Sequence, residues 1–147
     1  MELSKEDIRD LLESKVAFIE RTGVKALILE KGRIKLSAPL AGNENHIGTM
    51  YAGALFTLAE VPGGALFLTS FDVTRFYPVV KEMKIRFRRP AATDVTIEMM
   101  MAEEEVGRIQ EEAEESGKSE FVLTGEVKDE KGEVVAISEG VYQIRKA

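Results

Sequence analysis

The sequence predicts an α+β fold in which an antiparallel sheet wraps around one long central helix. Three observations support this prediction. Residues 50–71 form the longest apolar stretch, and a helix that is apolar on nearly every face is normally buried. Residues 24–38 before it and 81–145 after it contain segments that alternate like strands. Glycine and proline turn signals separate these segments. A sheet with one apolar face can bury such a helix.

The size and charge of the chain are those of one globular domain, which we expect to span residues 1–147. A chain of 147 residues can bury an adequate core. Within it we predict an N-terminal helix over 1–23, a core over 24–147 and an acidic helical insertion near 103–117. The formal net charge of -6 argues against a nucleic-acid-binding surface, which needs an excess of basic residues.

Residue usage excludes several kinds of site. The chain has no cysteine and one histidine, so disulfides, thiolate chemistry and a multi-histidine metal site within one chain are excluded. We therefore expect no metal. Glu60 and the run Pro62-Gly63-Gly64 interrupt the apolar stretch, which makes it a poor membrane span. The first residues lack the apolar core of a signal peptide, so a cytoplasmic protein is expected.

The N-terminal part of the chain predicts a helix followed by a hairpin. Ser4 and Asp7 resemble a capping box, and Gly23 is typical of the position after a helix end. Between them apolar residues recur at helical spacing, at Ile8, Leu11, Leu12, Val16 and Ile19. Residues 24–30 and 33–38 then predict two strands joined by a tight turn.

The rest of the chain predicts the central helix and four further strands. A buried helix is expected over residues 50–59, and Pro62 should kink or end it because proline lacks the N–H that would bond the Leu58 carbonyl. Residues 65–71 are expected as a second helical piece. The remaining strands are predicted at 81–88, 95–102, 121–128 and 134–145. One small sheet covers only part of the helix, so we expect a homodimer or a dimer of dimers.

Glu60 is the residue that most clearly indicates a site. It is the one carboxylate in the apolar helix, and it lies 15 residues after Asn45, which sits in a polar, glycine-broken loop. An ionisable group there is costly unless it is paired, hydrogen-bonded or used in chemistry. The competing interpretations are a structural carboxylate near Pro62, and for Asn45 a turn or capping residue.

The segment from Asn45 to Glu60 resembles the motif of the hotdog-fold thioesterases. In the branch related to phenylacetate degradation the motif is Asn-x-x-Gly-Thr-x-His-Gly-Gly, followed by a helical Asp or Glu. The corresponding residues here are Asn45, Gly48, Thr49, Tyr51, Ala52, Gly53 and Glu60. The form of the motif is most similar to that of an uncharacterised subgroup whose members are assigned as thioesterases by fold.

The resemblance implies a hotdog fold and hydrolysis of an acyl-coenzyme A, which is a substrate, so no cofactor is expected. Glu60, reached across a dimer interface, would activate water or attack the thioester. The backbone N–H of Ala52 would donate to the thioester carbonyl at the start of the helix. Asn45 would orient the water or the carboxylate, and Gly53 would let the ligand approach closely. Burial is expected to raise the pKa of Glu60.

Further substrate-binding candidates are Tyr51, His46, Arg86 and Arg88. Tyr51 stands where the family has histidine, and its ring is expected in the core unless its hydroxyl bonds the thioester. His46 is expected to be solvated. Lys84, Arg86 and Arg88 share one face of a predicted strand whose other face carries Met83, Ile85 and Phe87. The basic face can bind coenzyme A phosphates, or it is a solvated face or pairs with the acidic helix.

Two alternative functions stay open at this stage. Tyr51 and Ala52, together with Val80 where the family often has Ser or Thr, motivate a non-catalytic module that binds acyl groups or coenzyme A. His46 and Glu60 together would suit a 3-hydroxyacyl thioester dehydratase. Dehydration ranks below hydrolysis, because the proline-rich sequence that follows the histidine in those dehydratases is absent.

Overall fold

The computed structural model describes residues 3–147; Met1 and Glu2, which the helix predicted over 1–23 includes, lie outside the described residues. The chain forms four helices and six strands in this described part. In order they are α1 (Lys5–Ser14), α2 (Ala17–Thr22), β1 (Lys25–Glu30), β2 (Arg33–Ala38), α3 (Ala52–Ser70), β3 (Phe76–Phe87), β4 (Val95–Met100), α4 (Glu103–Ser116), β5 (Lys118–Lys128) and β6 (Val134–Lys146).

The six strands form one sheet in the order β1-β2-β4-β5-β6-β3, and each neighbouring pair is antiparallel. Helix α3 packs against all six strands and against α1. The core therefore lies between α3 and one face of the sheet, as the sequence predicts for this α+β class. Strands β1 and β3 are the edges of the sheet.

The N-terminal helix predicted over 1–23 is two helices, α1 and α2, which corrects the prediction. The capping box of Ser4 and Asp7 is present, and Gly23 ends α2 with φ 73°. The break comes after Ser14, whose hydroxyl oxygen lies 2.9 Å from the Asp10 carbonyl oxygen and 2.6 Å from its carboxylate. Val16 is extended, which reorients the chain, and a β-branched residue suits that conformation.

Helix α3 is continuous from Ala52 to Ser70, so the predicted kink or end at Pro62 is wrong. Twelve of its 19 residues, Pro62 among them, are buried, and this packing outweighs the lost hydrogen bond to the Leu58 carbonyl. By length and composition alone α3 could cross a membrane, with a mean hydropathy of 1.4. The core helix of a globular domain has the same character, and most of α3 is buried against its sheet.

Strand β3 is less buried than its alternation predicts. Met83 and Ile85 are half-buried on the side that faces α3, whereas Phe87 is 47% exposed. Phe87 is exposed because β3 is an edge strand, which has a neighbouring strand, β6, on one side only. Phe87, expected on the same face as Met83 and Ile85, is therefore exposed in a single chain. Met100 on β4 is exposed as well.

The acidic insertion is a helix, as predicted. Helix α4 buries Val106, Ile109 and Ala113 and ends at Gly117 with φ 87°. The strand that follows it, β5, alternates between exposed and buried residues without interruption. The sequence pattern alone therefore identified the inward-facing residues of this part of the chain.

Candidate active site

Glu60 lies on the one stripe of α3 that the sheet leaves partly uncovered. The stripe recurs every four residues and consists of Ala52, Phe56, Glu60, Gly64 and Leu68. Residues four apart are neighbours on a helix surface, so these residues form a continuous stripe that winds slowly around α3. Phe56 is 38% exposed, and nothing lies within 4 Å of the position that a side chain at Gly64 would occupy. The carboxylate therefore stands between an exposed ring and open space.

The carboxylate of Glu60 is held in a partly apolar environment. Desolvation by the surrounding protein raises its pKa above the ordinary value, which is the direction that the sequence predicts. Among the described hydrogen bonds and ion pairs, none involves Glu60. A half-buried carboxylate with a raised pKa and a free face is well suited to act as a base or nucleophile.

Tyr142 is the side chain that lies against this part of α3, and the sequence analysis did not assign it a role. A Cβ placed on Gly63 would lie 2.8 Å from the Tyr142 hydroxyl oxygen, so the ring fills the space that the glycine leaves. Its hydroxyl donates to the sulfur of Met83 at 3.4 Å. Burial, with a smaller contribution from Glu60, raises the pKa of Tyr142 to about 12. Gly63, a glycine inside a buried helix, is unusual in the sequence, but nothing in the sequence joins it to Tyr142.

Asn45 forms a closed turn in the loop before α3. Its side-chain oxygen accepts from the N–H groups of Ile47 at 3.0 Å and Thr49 at 3.1 Å, and its amide donates to the Thr49 hydroxyl at 2.9 Å. Gly48 has φ 88°, a conformation that favours glycine in a turn. Within one chain Asn45 shapes the loop, as its turn interpretation predicts, and the described hydrogen bonds do not join it to Glu60.

The start of α3 is exposed and polar. Tyr51 caps the helix in an extended conformation, and it is 61% exposed, so the expectation of a core position for its ring is wrong. The ring lies over Gly53. As the first helical residue, Ala52 has no intrahelical acceptor for its N–H. An open cleft of about 540 Å³ beside it is lined by both Tyr51 and Gly53 and by Phe18 and Arg21.

The other candidate residues lie on the surface. His46 is exposed in the loop before α3. Lys84 and Arg86 on β3 line a cleft of about 390 Å³, and Arg88 is exposed at the end of this strand. Arg89 pairs with Glu133 at 2.9 Å, whereas the described ion pairs include none with Lys84, Arg86 or Arg88. The proposed pairing of this basic face with α4 is therefore not found in the described chain.

The structure separates the two groups to which the family resemblance gives catalytic roles. Glu60 follows Ala52 by eight residues in one uninterrupted helix, which places their Cα atoms about 12 Å apart along the axis. An oxyanion donor and a nucleophile must both lie within about 3 Å of the reacting group. The described residues also contain no group of three or more His, Asp or Glu side chains that could hold a metal ion.

Comparison with known proteins gives a family and a set of similar structures. Residues 5–142 match the family described as Domain of unknown function (DUF4442). No curated protein matches the chain. The structure resembles that of PA5026 from Pseudomonas aeruginosa, described as a protein of unknown function and probable thioesterase. The two chains are 56% identical with a TM-score of 0.96, and the alignment covers 100% of this chain and 99% of that one.

Two more distant structures share the fold. A protein of unknown function from Chlorobaculum tepidum is 18% identical with a TM-score of 0.83, and 97% of this chain and 94% of that chain align. Thioesterase HI1161 from Haemophilus influenzae is 14% identical with a TM-score of 0.74, and 99% and 93% of the two chains align. These likenesses confirm the predicted hotdog fold.

Proposed function

This chain belongs to the family of the Domain of unknown function (DUF4442), and within it we propose that the protein hydrolyses acyl-coenzyme A thioesters with Glu60 as base or nucleophile. The proposal rests mainly on the burial and the raised pKa of Glu60. It is the one charged residue of α3, it is half-buried, and its pKa is raised by desolvation. Such a group is expensive to keep unless it is used. The probable thioesterase PA5026, 56% identical to this chain, supports the reaction class.

The separation of Ala52 and Glu60 implies that two protomers build each site. The two residues lie about 12 Å apart along one helix, too far to act on one thioester carbonyl. A second copy whose α3 lies alongside in the opposite direction brings its Glu60 to the Ala52 N–H of the first. The Ala52 N–H then stabilises the developing oxyanion while Glu60 attacks or activates water. Asn45 keeps the loop before Ala52 in shape.

Strand β3 supplies the surface through which the two copies meet. It is an edge of the sheet, and an exposed sheet edge readily pairs with another strand. Val80 and Phe87 are 44% and 47% exposed on it, although both are large apolar residues. Pairing of β3 with its copy buries these residues and continues the sheet around two central helices. The proposed assembly is therefore a homodimer, alone or within a dimer of dimers.

The basic residues of β3 support coenzyme A as the leaving group. Lys84 and Arg86 line a cleft on the outer side of the strand, and Arg88 follows them. The described ion pairs include none with these three residues, while the neighbouring Arg89 is paired with Glu133. Arginine suits phosphate binding because its planar group donates two parallel hydrogen bonds. The chain as a whole is acidic at -6, so a local basic cluster is a specific feature.

The proposal is tested with a panel of acyl-coenzyme A substrates and a dye that detects the released thiol. Glu60→Gln keeps the size of the side chain and removes the base, and kcat/KM should fall by about 10²–10⁴. Glu126→Gln, which alters an exposed carboxylate on β5, is the matched control and should retain full activity. A wild-type protein that binds non-hydrolysable acyl-coenzyme A analogues without turnover is a binding module, and this result would overturn the proposal.

A further inference from the structure

Gly63 and Tyr142 form a fitted contact beside Glu60. The Tyr142 ring occupies the space in which any side chain at position 63 would lie. Gly140, two residues before Tyr142 on β6, is equally constrained, because a Cβ there would lie 2.5 Å from the ring and 2.7 Å from the Met83 sulfur. Two glycines on different elements therefore make room for one tyrosine. Phe121 stacks on its other side with ring centroids 5.9 Å apart.

This contact brings the Tyr142 hydroxyl within reach of Glu60. The hydroxyl oxygen lies 2.8 Å from the position of a Cβ on Gly63. Glu60 and Gly63 are three residues apart on α3, and Cβ atoms at this spacing lie about 5–6 Å from each other. The side chain of glutamate extends beyond its Cβ by two further carbons. The Glu60 carboxylate and the Tyr142 hydroxyl therefore lie in the same region of the molecule, and Glu60 is close enough to contribute to the raised pKa of Tyr142.

We propose that Tyr142 is the positioning residue of Glu60, and that its hydroxyl donates a hydrogen bond to the ionised carboxylate when the site is in use. The inference rests on the proposed function of Glu60. In this arrangement the hydroxyl, buried beside Gly63, holds one oxygen of the carboxylate, and the other oxygen faces the open space at Gly64, where the thioester is to be attacked. Gly63 is required because any larger residue would push the ring away.

The hydroxyl is free to take this role. Its acceptor in the structure is a thioether sulfur at 3.4 Å, which is a weak acceptor, and an ionised carboxylate is a much stronger one. With a pKa of about 12, the phenol stays protonated at neutral pH and remains a donor. Among the described residues of α1 and β1–β6, which pack on α3, no charged side chain shifts the pKa of Glu60. Tyr142 is the titratable group coupled to it.

The test is Tyr142→Phe, which keeps the ring and removes the hydroxyl. The Glu60 carboxyl is titrated directly by carbon NMR in uniformly labelled protein, with Glu60→Gln identifying its signal. Loss of a donor to the charged form disfavours that form, so the Glu60 midpoint should rise by about one pH unit. The acid limb of kcat/KM should move to higher pH by the same amount. Glu126→Gln, which alters an exposed carboxylate of β5 away from this contact, is the control and should leave both the midpoint and the acid limb unchanged.

The NMR titration separates this inference from the proposed function. If the wild type hydrolyses no thioester but the Glu60 midpoint still rises in Tyr142→Phe, the pairing stands and the function fails. If the midpoint and the acid limb are unchanged in Tyr142→Phe, the positioning role is overturned even when activity is high. Thermal unfolding is recorded for each variant, because a purely structural role would lower Tm and leave the Glu60 midpoint in place.

Discussion

Glu60 lowers the stability of the domain at the pH where it would work. Its pKa is raised in the folded chain because burial disfavours the charged form, whereas in the unfolded chain it titrates near the ordinary value of about 4.3. The unfolded state therefore loses its proton first as the pH rises. Stability falls between the unfolded and the folded pKa and stays reduced above both. Active sites that contain a buried ionisable group commonly lower the stability of the fold, and activity depends on that group.

Replacing Glu60 by glutamine should therefore stabilise the protein at neutral pH. We expect Tm of Glu60→Gln to exceed that of wild type by a few degrees at pH 7, because the neutral amide avoids the desolvation of a charge. The gain should disappear below about pH 4, where Glu60 is protonated in both states. Differential scanning calorimetry of the two proteins from about pH 3 to about pH 8, a range that spans the ordinary glutamate pKa, measures this, and an equal difference at every pH would contradict it.

The sequence predicted the position and role of some residues well and of others poorly. Glu60 stood out because a carboxylate in an apolar helix is chemically unusual, and its raised pKa is confirmed. Tyr51 was misplaced because its apolar neighbours suggested a core position, whereas it caps the helix and is exposed. Tyr142 was assigned no role from the sequence. Its contact with Gly63 joins residues 79 positions apart in the sequence (142 minus 63), and a one-chain pattern carries no signal for such pairs.

At the scale of elements, α4 offers a direct comparison of two glycines. Gly107 lies inside the helix and Gly117 ends it with φ 87°, and at both positions the space that a Cβ would take is free of other atoms within 4 Å. Gly107→Ala should stabilise the protein by about 0.5–1 kcal/mol because alanine favours helix interiors. Gly117→Ala should destabilise it by about 1–2 kcal/mol because the left-handed conformation is strained for alanine.

Urea unfolding of both variants at one protein concentration provides the measurement, since stability depends on concentration when a protein associates. The same substitution in the same helix should give free energies of unfolding that move in opposite directions. If both variants shift the midpoint in the same direction, the assignment of a helix end at Gly117 is wrong. The two positions are remote from Glu60, so the activity of both variants should match that of wild type.

Most helices and strands were predictable from the sequence. The errors arise where tertiary contacts outweigh local sequence preference. Amphipathic patterns located α4 and β5 to within a few residues because each buries one face, and β6 was located equally well after the turn that ends at Gly132. Pro62 was expected to break α3, but local propensity gives way where twelve residues of the helix are buried. Strand β3 begins at Phe76, five residues earlier than predicted (81 minus 76), because the pairing with β6, which the alternation does not reveal, extends it.

At the scale of the molecule, a single chain leaves surfaces exposed that are usually paired or buried. The outer edge of β3 is unpaired, one stripe of α3 is partly uncovered, and the helix N-terminus at Ala52 is remote from Glu60. The sequence predicted a second subunit from one of these features, the incomplete burial of the helix. The structure gives a second reason to expect this subunit. The proposed oxyanion donor and carboxylate of one chain lie about 12 Å apart, so only a second copy can bring two such groups together.

The donor role of the Ala52 N–H can be removed without removing a side chain. Proline has no N–H and is well tolerated at the first position of a helix. Tyr51 before it has φ -62° and ψ 139°, which is the conformation that a following proline requires. Ala52→Pro should therefore keep the fold, as circular dichroism and Tm would show, and lower kcat by about 10²–10³. Retention of full activity in a folded Ala52→Pro protein would exclude this N–H as the oxyanion donor.

Two inactive variants should then restore activity when they share a dimer. In a mixed dimer of Ala52→Pro and Glu60→Gln, one site receives both defects, while the other combines an intact Ala52 with an intact Glu60. If the subunits mix at random, half of the dimers are mixed and about a quarter of wild-type activity returns. Co-refolding of differently tagged chains and native mass spectrometry establish the fraction of mixed dimers. The control mixes Glu60→Gln with the double variant, in which no site has Glu60, and it should stay inactive. Mixed dimers that form and remain inactive would show that each site lies within a single chain.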